Sequence, residues 1–152
     1  MIIQLSAENI VEYWDSIRYA LQQTISADEP IIKEQKLMEF TNKTLVSLLT
    51  EKMQAWVIMT EDRRPKMLML TRIDKTISGQ LFVRIELAYG YMASTEEEKR
   101  ELALKSICVF ARNVGADFLL AESSNPMAWR AMLQVGAKEK GRIFILSTKE
   151  TS

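Results

Sequence analysis

The connections between the apolar segments of this chain constrain its fold more than any single residue does. Residues 55–60 (AWVIMT), 66–74 (KMLMLTRID) and 81–89 (LFVRIELAY) are short and apolar, and they are separated only by 61–65 (EDRRP) and 75–80 (KTISGQ). Turns this short permit antiparallel neighbours and nothing else, so the three segments predict a meander. The next apolar segment, 117–122 (DFLLAE), lies a helix-length away. Residues 96–114 carry Ala103, Ile107, Phe110 and Val114 as an apolar stripe at helical spacing, and Gly115 closes the helix. A strand, a crossover helix and a further strand in one sheet give a parallel pair. The prediction is a mixed, mostly antiparallel sheet flanked by helices, an α/β fold. Within 81–89 the alternation of Leu81, Val83, Ile85, Leu87 and Tyr89 predicts one shared face.

The flanking segments complete the pattern. Residues 2–5 read as an edge strand, and Ser6 is a helix N-cap before Ile10, Trp14, Ile17 and Leu21. Residues 22–29 are polar and read as a loop. Asp28, Glu29 and Pro30 open a second helix to about Lys52, with Leu37, Phe40, Leu45, Leu48 and Leu49 as its buried side. Asn125 and Pro126 start a last helix to about Val135, Gly136 ends it, and 142–148 (RIFILST) predicts a final strand. No linker or repeat interrupts the chain, so residues 1–152 are expected to form a single domain.

Composition removes whole classes of chemistry. The chain has no histidine, which takes away the commonest general base and the commonest metal ligand. No metal site is predicted, and a hydrolase built on Ser–His or Cys–His is excluded. Cys108 is the one cysteine, so no intrachain disulfide forms; its position beside Leu104 and Ala111 predicts a buried, unreactive thiol. Twenty basic residues balance twenty acidic ones. No nucleic-acid or membrane partner is expected from that balance. No apolar run has membrane-spanning length, and Met1-Ile2-Ile3-Gln4 lacks the features of a signal peptide, so the expected location is the cytoplasm or a particle assembled there. Trp14, Trp56 and Trp129 are expected as core or half-buried anchors, and Met67, Met69 and Met132 as core filler.

The element order and the stretch "NPMAWRAMLQVGAKEKGRIFIL" carry a resemblance. Asn125, Ala128 and Gly136 stand at the spacing common in the GCN5-related N-acetyltransferase (GNAT) superfamily, and the architecture resembles that family over nearly the whole chain. The opening "IIQLSAENIVEYWDSI" and the closing helix-Gly-Ala-strand unit look similar to small GNAT-like proteins of tailed bacteriophages, one class of which is packaged inside virions. The resemblance implies an acetyl-CoA loop between the third meander strand and the next helix, at Met92, Ala93, Ser94 and Thr95. It also implies that Asn125 could touch the pantetheine arm, and that Glu86 lies where a general base would stand, although an Arg84–Glu86 surface pair is the favoured reading of that residue. Tyr89 and Tyr91 are hydroxyls near the same place, with packing as their ordinary role.

The departures from the family pattern lie at the same positions. The glycines that let backbone amides wrap a pyrophosphate are missing, and Glu96, Glu97 and Glu98 fill the first helical turn. Ser94 with Glu97, or Thr95 with Glu98, makes a capping box, so the helix terminus already has its own anions. Met132 occupies the position where many members carry a proton-donating tyrosine. The sequence therefore predicts a GNAT-like protein with no bound cofactor, serving as a binding or structural module for a protein partner or for itself. The alternative is an acetyl-CoA-dependent N-acetyltransferase with an atypical loop, its phosphates held by cations such as Arg63, Arg64 and Lys66.

Overall fold

Ser6 accepts a hydrogen bond from the amide of Asn9 at 3.3 Å, and this cap starts the first helix one residue beyond the expected edge strand. The computed structural model describes residues 2–28, 31–91, 97–122, 126–141 and 146–148. In chain order these give β1 (Ile2–Gln4), α1 (Ala7–Glu12), α2 (Trp14–Asp28), α3 (Glu34–Leu49), β2 (Met53–Met59), β3 (Pro65–Lys75), β4 (Leu81–Gly90), α4 (Glu97–Asn113), β5 (Phe118–Ala121) and α5 (Pro126–Gln134). The strands lie in the order β1-β2-β3-β4-β5. Strands β1 to β4 are antiparallel neighbours and β5 is parallel to β4; for β2 to β5 the connection lengths require these directions.

The sheet is covered on both faces. On one face Ile10, Ile17 and Leu21 from α1 and α2, with Leu48 from α3, pack on Ala55, Val57, Leu68, Leu70 and Leu87. On the other, Ala103, Leu104, Ile107 and Ala111 of α4 and Ala131 of α5 pack on Trp56, Ile58, Met67, Met69 and Val83. Trp56 is buried and donates through Nε1 to the Thr71 hydroxyl (3.0 Å), which donates in turn to Gln54 Oε1 (2.9 Å). Buried polar groups are tolerated here because each has a partner.

Several expectations from the sequence are corrected. The loop expected at 22–29 is helical through Asp28, because Gln22 to Asp28 contains no glycine or proline and continues α2. The single helix expected from Ser6 is two, divided at Tyr13. Helix α3 starts at Glu34, later than Pro30, and its buried side is Thr41, Thr44 and Leu48; Phe40 and Leu49 are exposed. The hydroxyls of Thr41 and Thr44 donate to the carbonyls of Leu37 (2.7 Å) and Phe40 (3.0 Å), so they enter the core already satisfied. Val114 lies just beyond α4 and is exposed, whereas Leu104 and Ala111 of α4 are buried. Cys108 is half-buried, not fully buried. Trp129 is exposed, unlike Trp14 and Trp56. Of the expected final strand, residues 142–145 lie outside the described residues, and 146–148 are not a strand.

The expected shared face of 81–89 is also overturned. Leu70 pairs with Leu87 and Thr71 with Ile85, so Glu86 has no counterpart on β3. One extra residue in a strand reverses the face of everything beyond it. Val83 and Ile85 accordingly pack on the α4 side, whereas Leu87 and Tyr89 pack on the α1–α3 side.

Candidate functional site

The bulge at Glu86 marks the place where the sheet opens. Pairing between β4 and β5 runs from Phe82 with Phe118 to Ile85 with Ala121. Beyond it, β4 continues on β3 alone, from Leu87 with Leu70 to Gly90 with Met67. Among the described residues β5 thus leaves the edge of β4 open beyond Ile85, with the first turn of α4 and the start of α5 following the two strands in the chain. Such an opening is where α/β sheets place ligands.

Below the opening the two strands are pinned together. Phe82 and Phe118 stack with ring centroids 5.0 Å apart and planes 2° from parallel. The Arg84 guanidinium lies 5.5 Å from the Phe82 ring centre, and its Nη1 donates to Glu122 Oε1 on the far side at 3.3 Å. Arg84 Nε also lies 3.9 Å from Asp74. Glu86 is not the partner of Arg84. Its carboxylate faces Arg72 Nε at 3.6 Å, across the bulge. An Arg–Glu pair is what the sequence suggests, but the arginine comes from β3, since the bulge turns Glu86 toward the neighbouring strand. Sequence spacing carries no signal for Arg72 or Glu122, because both reach the site only through strand pairing.

Three tyrosines line the α2 side of the same end of β4. Tyr19 and Tyr89 meet edge to face at 6.2 Å, and Tyr89 and Tyr91 do so at 5.1 Å. The Tyr91 hydroxyl donates to the Ser16 carbonyl at 2.6 Å. Burial pushes the Tyr91 phenol far up, with Tyr89 adding to the shift. The Tyr89 phenol is raised by burial first and by Tyr19 second. Met132 packs against the α4-side core. The β2–β3 turn brings Arg63 and Arg64 to this end of the sheet, where the Tyr91 amide donates to the Lys66 carbonyl at 3.0 Å.

The remaining candidates, Met92, Ala93, Ser94, Thr95 and Asn125, lie outside the described residues. Glu97 opens α4, and Pro126 opens α5. Gly136 has φ +92 and follows α5 at the left-handed position that ends a helix.

The whole arrangement has known counterparts. A probable acetyltransferase superposes with a TM-score of 0.75 at 12% identity, covering 99% of both chains. A putative acetyl transferase from Pyrococcus furiosus gives 0.71 at 18% identity over 97% of this chain and 99% of its own. The fold is that of the GCN5-related N-acetyltransferases. A predicted acetyltransferase from Clostridium acetobutylicum with this GNAT fold, solved with acetyl-CoA, gives 0.71 at 12% identity over 97% of this chain and 95% of its own. No family model matches the chain, and no curated protein matches it in sequence. Among the described residues no helix is long and apolar enough to cross a membrane, and no group of carboxylates and thiols is placed to hold a metal.

Proposed function

We propose that this chain uses the GNAT fold as a non-catalytic binding or structural module, phage-encoded and associated with a virion or its assembly. The chemistry of the opening supports the loss of catalysis. The Tyr91 hydroxyl is spent on Ser16, burial raises the pKa of both tyrosine phenols, Glu86 faces Arg72, and Met132 has no proton to give. General acid–base work needs a group with a free proton site and a pKa near the operating pH. The sequence at the start of α4 opposes a diphosphate. Glu97 and Glu98 stand in the turn where an anion would otherwise be favoured, and the neighbouring sequence lacks the close-approach glycines. The phage assignment rests on the resemblance of the opening and closing segments.

Calorimetric titration with acetyl-CoA tests the reading. The expected outcome is no saturable heat and no thermal shift at ligand concentrations that reveal a micromolar complex. One observation favours the alternative, an acetyl-CoA-dependent transferase acting on an amine. Arg63, Arg64 and Lys66 stand at the mouth and could offset the glutamates. In that case acetyl-CoA binds, and Arg63→Glu with Arg64→Glu abolishes the binding. That result overturns the non-catalytic proposal and makes Glu86 the first candidate for the base. The virion association is tested separately by proteomics of purified phage particles; absence of the chain from them refutes it.

A further inference from the structure

A trough runs along the flank of α3, away from the β4–β5 opening. Its larger hollow, 520 Å³, is bounded by Phe40, Lys43, Val46 and Ser47 of α3 and by Arg72 of β3. A second, 400 Å³, shares Ser47 and Arg72 and continues past Lys52. Phe40 and Val46 are exposed although apolar. Arg72 is engaged by Glu86 through Nε and directs Nη2 at the Met53 sulfur, 3.5 Å away. Lys43 and Lys52 have no ion-pair partner among the described residues. The one acid on the trough wall is Glu51. In a chain with no net charge, this flank therefore carries a local cationic surplus beside an apolar end.

We propose that this trough docks an extended acidic segment of a partner protein, an apolar side chain seated against Phe40 and Val46 and carboxylates beside Lys43 and Lys52. The open walls favour a polypeptide over a small molecule, since small-molecule sites enclose most of their ligand. From Phe40 to the end of α3 at Leu49 is roughly 14 Å at the helical rise, and the trough continues to Lys52, so it takes about five extended residues. Charge complementarity selects an acidic sequence, and the exposed Phe40 sets its register. The proposal names a partner chemistry for the binding-module reading and is independent of the acetyl-CoA result.

The test is fluorescence anisotropy with a labelled hexapeptide bearing one leucine followed by three aspartates among serines. Saturable binding is expected at low salt, weakening as salt rises. The peptide with asparagine for every aspartate should bind about tenfold or more weakly, and so should the acidic peptide to the Lys43→Glu, Lys52→Glu variant. Phe40→Ser should weaken the leucine peptide and leave a glycine-for-leucine peptide unchanged. All three positions are exposed, and circular dichroism checks that the variants stay folded. Absence of saturable binding, equal binding of the asparagine peptide, or indifference to charge reversal overturns the proposal. A dimer that dissociates on charge reversal assigns the trough to a second copy of the chain and overturns it too. An acetyl-CoA complex that the charge-reversed variant retains would refute the non-catalytic reading and leave this one standing.

Discussion

Tyr91 shows what a single residue contributes to this fold. Its hydroxyl donates to a carbonyl in the first turn of α2, tying that helix to the end of β4. Tyr91→Phe keeps the ring and deletes the bond, so the loss should be about 1 kcal/mol, measured by urea unfolding. The pH dependence follows from the raised phenol. A folded-state pKa above the unfolded value of about 10 contributes stability that is complete below pH 10 and declines as pH rises beyond it. The phenylalanine variant should lose less stability than the parent above that pH. At Cys108, burial raises the thiol against a smaller lowering by Arg112. The expectation of low reactivity therefore rests on a small thiolate population more than on full burial. A bulky thiol reagent should label the native protein slowly at neutral pH and the denatured protein much faster.

Among the elements, β4 is the one whose geometry determines the site. Its first half belongs to the α4-side core and its second half to the α1–α3 core, and Glu86 is the extra residue that makes the change. Deleting Glu86 removes the bulge and sets Leu87 directly after Ile85, so simple alternation keeps Leu87 and Tyr89 on the α1–α3 face. Burial of such side chains is worth roughly 1.5–3 kcal/mol each. The deletion keeps that burial, so like Glu86→Ala, which removes only a half-exposed ion pair, it should lose under about 1 kcal/mol. Comparison of their urea midpoints checks this. A deletion that loses several kcal/mol would show that Glu86 is not the extra residue of the strand.

For the molecule as a whole, the sheet separates two apolar clusters that share little but the strands themselves. Ile17 lies in one and Ile107 in the other, both fully buried. Ile17→Val and Ile107→Val should each lose about 0.5–1.5 kcal/mol. Because a layer of backbone lies between them, the double variant should be additive within roughly 0.5 kcal/mol. A larger coupling in equilibrium denaturation would mean that packing strain crosses the sheet.

The sequence alone determined the order and directions of β2 to β5, because connection length and hydrophobic period are local properties; the neighbour and direction of β1 came only with the tertiary structure. A turn of a few residues cannot join parallel strands, and the stripe at Ala103 and Ile107 needs a helix wherever it packs. It also determined the stops at Gly115 and Gly136, whose positive φ follows from the absence of a Cβ. Tertiary structure decided which side of each element meets the core. Phe40 gave way to Thr41 and Thr44 because their hydroxyls could be satisfied by their own helix. Residues 22–28 became helix without any breaker to end α2. Glu86 met Arg72 and not Arg84, and β4 changed faces, because a bulge arises from the register of two strands pairing, a relation that no single segment encodes.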